Sequence, residues 1–151
     1  MRILILLVLL SFECIGSSDF VDLNTGYSLT IDSENKRYRI HDQSSLIEFC
    51  ADDSKYICMK SIHITFAIPK ARPLPNNWEF AGITYCRVEI LDFKLSDGQV
   101  DEGYLVAKSE NGLCNELSGK EPRFIYGTKT GLIYIDSFSS SGFQRRFIKY
   151  N

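Results

Sequence analysis

The chain has 151 residues, and its 17 basic and 19 acidic side chains give a formal net charge of -2 at pH 7. This length suffices for one domain with a hydrophobic core and is too short for two ordinary domains. The near-balanced charge gives no electrostatic reason to expect nucleic acid as a partner, so none is predicted.

Residues 1–18 have the composition of a secretory signal peptide. Arg2 precedes an unbroken apolar run over residues 3–10, and a small, polar stretch follows before any fold signal begins. The run is shorter than the roughly 20 apolar residues that a transmembrane helix needs. We therefore expect a secreted or periplasmic protein without stable membrane insertion.

Cleavage is expected after Gly16 or Ser18, where small residues occupy the positions that a signal peptidase reads. The mature chain is then a single β-rich domain, residues 19–151. Acylation of Cys14 is an alternative, but the bulky and charged residues before it do not fit a lipidation signal.

Four cysteines remain after the leader. An even number in an oxidising compartment indicates two disulfides. Three pairings are possible, and the simplest joins Cys50 to Cys58 and Cys86 to Cys114. A four-cysteine zinc site is the competing interpretation, but no Cys-x-x-Cys pair supplies its usual ligands. No metal or other cofactor is predicted.

Alternation of apolar and polar residues dominates the mature sequence and predicts about eight strands. It is clearest over residues 62–68, where one face would carry Ile62, Ile64, Phe66 and Ile68 and the other His63, Thr65 and Ala67. The other predicted strands are 27–31, 37–41, 85–91, 104–107, 124–126, 132–135 and 143–150. Turn residues such as Ser96 to Gly98, Thr128 to Gly131 and Ser139 to Gly142 separate them.

One segment departs from this alternation. Ser45 and Glu48 have the spacing of a capping box, which predicts a short helix over residues 45–51 that Cys50 would join to the strand carrying Cys58. The predicted fold is all-β, a mainly antiparallel sandwich or partly closed barrel with this one helix.

No familiar catalytic motif appears in the sequence. The histidines, His41 and His63, are predicted to be surface residues; Asp42 follows His41 but should face the other side of the strand. Asp97, Asp101 and Glu102 could contribute to a calcium site, although a solvated turn fits their spacing better. Two basic stretches, Lys36 to Arg39 and Arg145 to Lys149, are interpreted as charged strand faces.

The proline-rich loop over residues 69–77 should be stiff and exposed. It would display Lys70 and Arg72 on a pre-organised backbone, as in a protease inhibitor. Trp78 follows directly, either as an exposed anchor or tucked beneath the loop. These three residues are the candidate binding residues.

The leading interpretation is an exported, non-catalytic binding protein that acts on a protein partner, as an inhibitor or immunity-type neutraliser of that partner. A small-ligand or carbohydrate-binding β-barrel is the alternative. A third possibility is an enzyme of unrecognised type that uses His41 or His63 with an acidic partner.

Overall fold

The computed structural model describes residues 17–95, 97–138 and 144–150. The predicted leader, apart from its last two residues, and the predicted turn over residues 139–142 lie outside the described residues, as do Ser96 and Phe143. In the described part of the chain, no helix has the length and hydropathy to cross a bilayer.

The described residues form thirteen strands and one three-residue 3₁₀ turn, Cys114–Glu116. The strands are β1 (Ser18–Asp22), β2 (Ser28–Asp32), β3 (Arg37–Ile40), β4 (Gln43–Leu46), β5 (Glu48–Phe49), β6 (Tyr56–Lys60), β7 (Thr65–Pro69), β8 (Asn77–Phe80), β9 (Ile83–Lys94), β10 (Val100–Ser109), β11 (Arg123–Gly127), β12 (Gly131–Phe138) and β13 (Gln144–Lys149). The prediction of an all-β, mainly antiparallel fold is confirmed.

The strands form a large sheet and a small one. Ten strands pair in the order β4-β3-β2-β1-β13-β12-β11-β10-β9-β8, and β5, β6 and β7 form the second sheet. Every pairing is antiparallel, and the large sheet is open, with β4 and β8 at its edges. Pairing of β1 with β13 brings the two ends of the domain together in the middle of the large sheet.

The core lies between the two sheets. Phe20, Phe124 and Phe147 are fully buried on the large sheet, and Phe66 of β7 packs against Phe124 with ring centroids 5.5 Å apart. Burying an aromatic side chain of this size stabilises the fold by about 1.5 to 3 kcal/mol. The face of the large sheet that contacts the small sheet is called the inner face below, and the opposite face the outer face.

The predicted helix over residues 45–51 is wrong. Ser45 lies in β4 and pairs with Tyr38 of β3. Glu48 lies in β5 and pairs with Lys60 of β6. Ile47, between these strands, is buried in the core and its amide donates to the Lys36 carbonyl. A helix of two turns is marginal by itself, so long-range pairing that also buries Ile47 prevails over the capping signal.

The predicted number of strands was too low, and the start of the strand predicted over residues 62–68 was misplaced. All eight predicted segments overlap observed strands, but β1, β4, β5, β6 and β8 are short and lack clear alternation. Ile62 is 78% exposed rather than buried, because the Ser61 hydroxyl bonds both the amide and the carbonyl of Ile64 and delays β7 until Thr65.

Two disulfides are present, as predicted. They join Cys50 to Cys58 and Cys86 to Cys114. The first joins the segment after β5 to β6, and the second ties the loop after β10 to β9. Two disulfides fit an oxidising environment.

Candidate functional site

A row of five apolar side chains crosses the middle of the outer face. Strand pairing places Val21 opposite Ile148, Ile148 opposite Tyr134, Tyr134 opposite Ile125, and Ile125 opposite Leu105. The five residues lie on the adjacent strands β1, β13, β12, β11 and β10. At the usual spacing between strands, this apolar row is about 19 Å long.

The alternation of a strand directs these five side chains away from the core. Each is the immediate neighbour of a fully buried inner-face residue, and successive side chains point to opposite faces. Those inner neighbours are Phe20, Phe147, Ile135, Phe124 and Val106, all with 0% exposure. Ile148 is 36% exposed, and the other four members of the row are partly buried.

The surroundings of the apolar row are polar and carry a cation. Arg146, two residues before Ile148 on β13, is exposed, and no carboxylate of the described residues lies within 4.0 Å of its guanidinium. Asp136 is buried and accepts hydrogen bonds from the Tyr134 hydroxyl at 2.5 Å and the Arg123 amide at 2.9 Å. Burial and the Asp136 carboxylate raise the pKa of Tyr134, which therefore stays neutral.

This composition is unusual for the solvent side of an antiparallel sheet. Such sheets commonly bury one face and present polar residues on the other. Here cross-strand neighbours on the outer face are apolar over five consecutive strands. Contiguous apolar surface that is at least partly exposed marks an interaction site more often than scattered single residues do.

The proline-rich loop is held in place by its own contacts. The Lys70 ammonium donates to the Asp52 carbonyl at 2.7 Å, and the Arg72 guanidinium donates to the carbonyls of Pro69 and Ala71. Arg72 also lies over the Tyr104 ring, 5.7 Å from its centroid. Both side chains are exposed, as expected, but they are folded onto their own loop and neighbouring residues.

Of the two alternatives for Trp78, the exposed anchor is wrong and the indole is buried. Trp78 is 7% exposed and its ring nitrogen donates to the Ala67 carbonyl at 2.9 Å. The ring stacks on Tyr85 at a centroid distance of 5.8 Å. Trp78 points inward because it pairs with Tyr85 on the inner face of the large sheet, so the structure does not bring it together with Lys70 and Arg72.

Asp101 is buried and holds the turn over residues 128–130, whereas the sequence predicted that Asp101 would lie in a solvated turn. Its buried carboxylate accepts hydrogen bonds from both Thr128 and Thr130 hydroxyls at 2.7 Å and from the Lys129 and Thr130 amides at 3.0 Å. Burial by itself would raise the pKa of Asp101, but these hydrogen bonds prevail and lower it to about 2.

The two histidines lie in separate places. His41 follows β3 in a tight turn with φ of 52°, so its ring reaches Asp42 at 3.0 Å. The expectation that these neighbours point apart is wrong because residue 41 is not in a strand. Both are exposed, His41 stacks on Tyr27, and such a surface contact contributes little to stability. His63 lies edge-on to Tyr38 before β7.

The apolar row was missed at the level of the sequence, although a signal was present. Residues 132–135 are four consecutive apolar residues, and residues 124–126 and 147–148 likewise have no polar member. A strand with apolar residues at successive positions must place apolar side chains on both faces. The prediction was based on alternation of apolar and polar residues over longer segments, so these short apolar runs were not recognised.

Comparison of the chain with protein-family models, curated proteins and solved structures finds no match.

Proposed function

We propose that this protein is an exported, non-catalytic binding protein that engages another protein through the apolar row and acts as an inhibitor or immunity-type neutraliser of it. The observation that carries the proposal is the row itself, with Val21, Ile148, Tyr134, Ile125 and Leu105 paired side by side on the outer face.

The chemistry of the outer face defines the partner surface that would fit it. Tyrosine at the centre of an apolar patch is a typical binding hot spot, because it offers a large rigid contact area and a polar tip. Arg146 beside Ile148 is exposed and available to pair with an acid. The expected partner is therefore a protein with an apolar contact surface bordered by a carboxylate.

Export accounts for two further features, the composition of residues 1–18 and the two disulfides. The composition of residues 1–18 is that of a cleaved leader. The two disulfides fit the oxidising compartment to which such a leader directs a protein.

A capture experiment with matched variants tests the proposal. The exported protein, Ile148→Asp and Ile62→Asp would each be immobilised and exposed to an extracytoplasmic extract of the source organism. Ile62 is the control because it is also exposed and apolar, at 78%, but lies in the turn before β7. A partner retained by wild type and Ile62→Asp and lost by Ile148→Asp is expected, and its activity would then be assayed with and without the protein.

The proline-rich loop is the competing contact site and has its own variant. The double change Lys70→Ala and Arg72→Ala should leave capture unchanged if the outer face binds the partner. Loss of the partner from this loop variant, together with its retention by Ile148→Asp, would contradict the outer-face proposal and favour the loop.

A further inference from the structure

A cavity of about 210 Å³ opens between the two sheets. None of the five residues of the apolar row lines it. Phe20 and Leu132 of the large sheet and Phe49, Met59 and Phe66 of the small sheet form its apolar wall. Phe49 is 37% exposed at the mouth, whereas Phe20 is fully buried at 0%. The site is thus a concave apolar pocket that reaches the core, which is the usual form of a small-molecule site.

Lys149 supplies a charge to this apolar pocket. It lines the cavity, is partly buried, and among the described residues donates one hydrogen bond, to the Thr130 carbonyl at 3.2 Å. An ammonium group has three N–H donors. No carboxylate of the described residues lies within 4.0 Å of the Lys149 nitrogen.

The other polar residues that line the cavity, Ser18, Ser33 and Thr130, are uncharged. The Thr130 hydroxyl donates to Asp101 at 2.7 Å. The ammonium of Lys149 is therefore the charged group with spare donors at the cavity. A ligand that fills the apolar space and presents an anion to Lys149 would satisfy both features.

The volume limits the size of the ligand. An apolar cavity of about 150 Å³ holds benzene, so the present cavity holds a body of about 8 non-hydrogen atoms. We propose that the protein binds a small monocarboxylate with an apolar body, such as a single aromatic ring or a short aliphatic chain, with its carboxylate on Lys149. This proposal does not rest on the proposed protein-binding function.

The test uses phenylacetate and hexanoate as probes, with phenylacetamide as the uncharged analogue. Protein expressed from the full chain and recovered with its disulfides formed would be titrated by calorimetry, and the site mapped by NMR chemical-shift changes. We expect saturable binding of at least one carboxylate, with the largest shifts at Phe20, Met59 and Leu132. The aromatic and aliphatic probes distinguish the two kinds of apolar body.

A lysine variant and a matched control isolate the charge. Lys149→Met should weaken carboxylate binding at least tenfold and phenylacetamide binding much less, because only the carboxylate forms an ion pair with Lys149 and the apolar wall is kept. Lys129→Met is the control, since Lys129 is exposed on the adjacent turn and does not line this cavity. Lys129→Met should bind as wild type does.

Three results would overturn the proposal. One is the absence of saturable binding of either carboxylate by the folded wild-type protein. Another is an equal loss of affinity in Lys149→Met and Lys129→Met. The third is a shift map centred on Phe93 and Ile133, which line a separate cavity of about 180 Å³ that also touches Lys149.

Discussion

The Trp78 indole donates a hydrogen bond to the Ala67 carbonyl and thereby ties the edge strand β8 of the large sheet to β7 of the small sheet. The same ring stacks on Tyr85, which is fully buried. This position makes Trp78 part of the junction between the sheets, so Trp78 is not an exposed anchor beside the proline-rich loop.

The fluorescence of Trp78 in solution should be that of an indole shielded from water. It is the single tryptophan of the chain, so fluorescence is specific to it. We expect blue-shifted emission that acrylamide quenches weakly, and Trp78→Phe should destabilise the fold by about 2 kcal/mol because the hydrogen bond and packing area are lost. Emission typical of an indole in water would contradict the buried position.

Truncation of two neighbouring residues on β13 should destabilise the fold to very different extents. Phe147 is fully buried, whereas Ile148 is 36% exposed on the outer face. Phe147→Ala should cost about 3 to 5 kcal/mol of unfolding free energy, and Ile148→Ala less than about 1 kcal/mol. Urea unfolding of both variants measures this, and equal losses would show that the two faces are assigned incorrectly.

Asp101 should support stability at neutral pH and lose that role in acid. Its folded-state pKa of about 2 is below the ordinary value of 3.8, so its contribution of about 2 kcal/mol is fully present above about pH 4. It should decline as the pH falls toward 2. Asp101→Asn should be destabilised by about 2 kcal/mol at pH 7 and match wild type more closely at pH 2.5, as urea midpoints would show; a constant difference would contradict this.

Lys108 should make the protein more stable as the solution becomes basic. Burial lowers its pKa to about 8, although Asp136 opposes the shift. Between about pH 8 and 10 the unfolded chain retains a proton that the folded protein releases, so the unfolding free energy rises with pH by about 1 to 2 kcal/mol. Lys108→Met should abolish this rise in unfolding titrations at pH 7 and 9.5. If the unfolding free energy of Lys108→Met rose with pH as it does in wild type, another titrating group would be its cause.

The two disulfides should contribute unequally. Cys86 and Cys114 are 28 residues apart, and Cys50 and Cys58 are 8 apart. Loop-closure entropy gives about 3.5 kcal/mol for the longer loop and about 2.5 kcal/mol for the shorter. Thermal unfolding of the two double-alanine variants should rank them in this order, and the reverse order would show that contacts at Cys50 and Cys58 outweigh loop length.

Much of the fold could be predicted because alternation is a local property. Each predicted strand, from residues 27–31 to residues 143–150, overlaps an observed one, since side chains of period two face a single core. The strands that were missed depend on distant partners. Polar β4 pairs with β3, and two-residue β5 is defined by β6, so neither has a signal of its own.

The candidate site could be predicted less well because it depends on register. Ile148 and Leu105 are far apart in sequence, and only the pairing of five strands places them in one row. Asp101 likewise has no local signal for burial, because its partners Thr128 and Thr130 come from another hairpin. The position of Trp78 required knowing that β8 pairs with β9.

Site-specific photo-crosslinking tests the central claim most directly. A benzophenone amino acid would replace Ile148 in one protein and Ile62 in another, each expressed in the source organism and irradiated there. We predict a single protein adduct of defined mass from position 148 and none from position 62. Absence of an adduct at position 148, or the same adducts from both positions, would contradict a protein partner on the outer face.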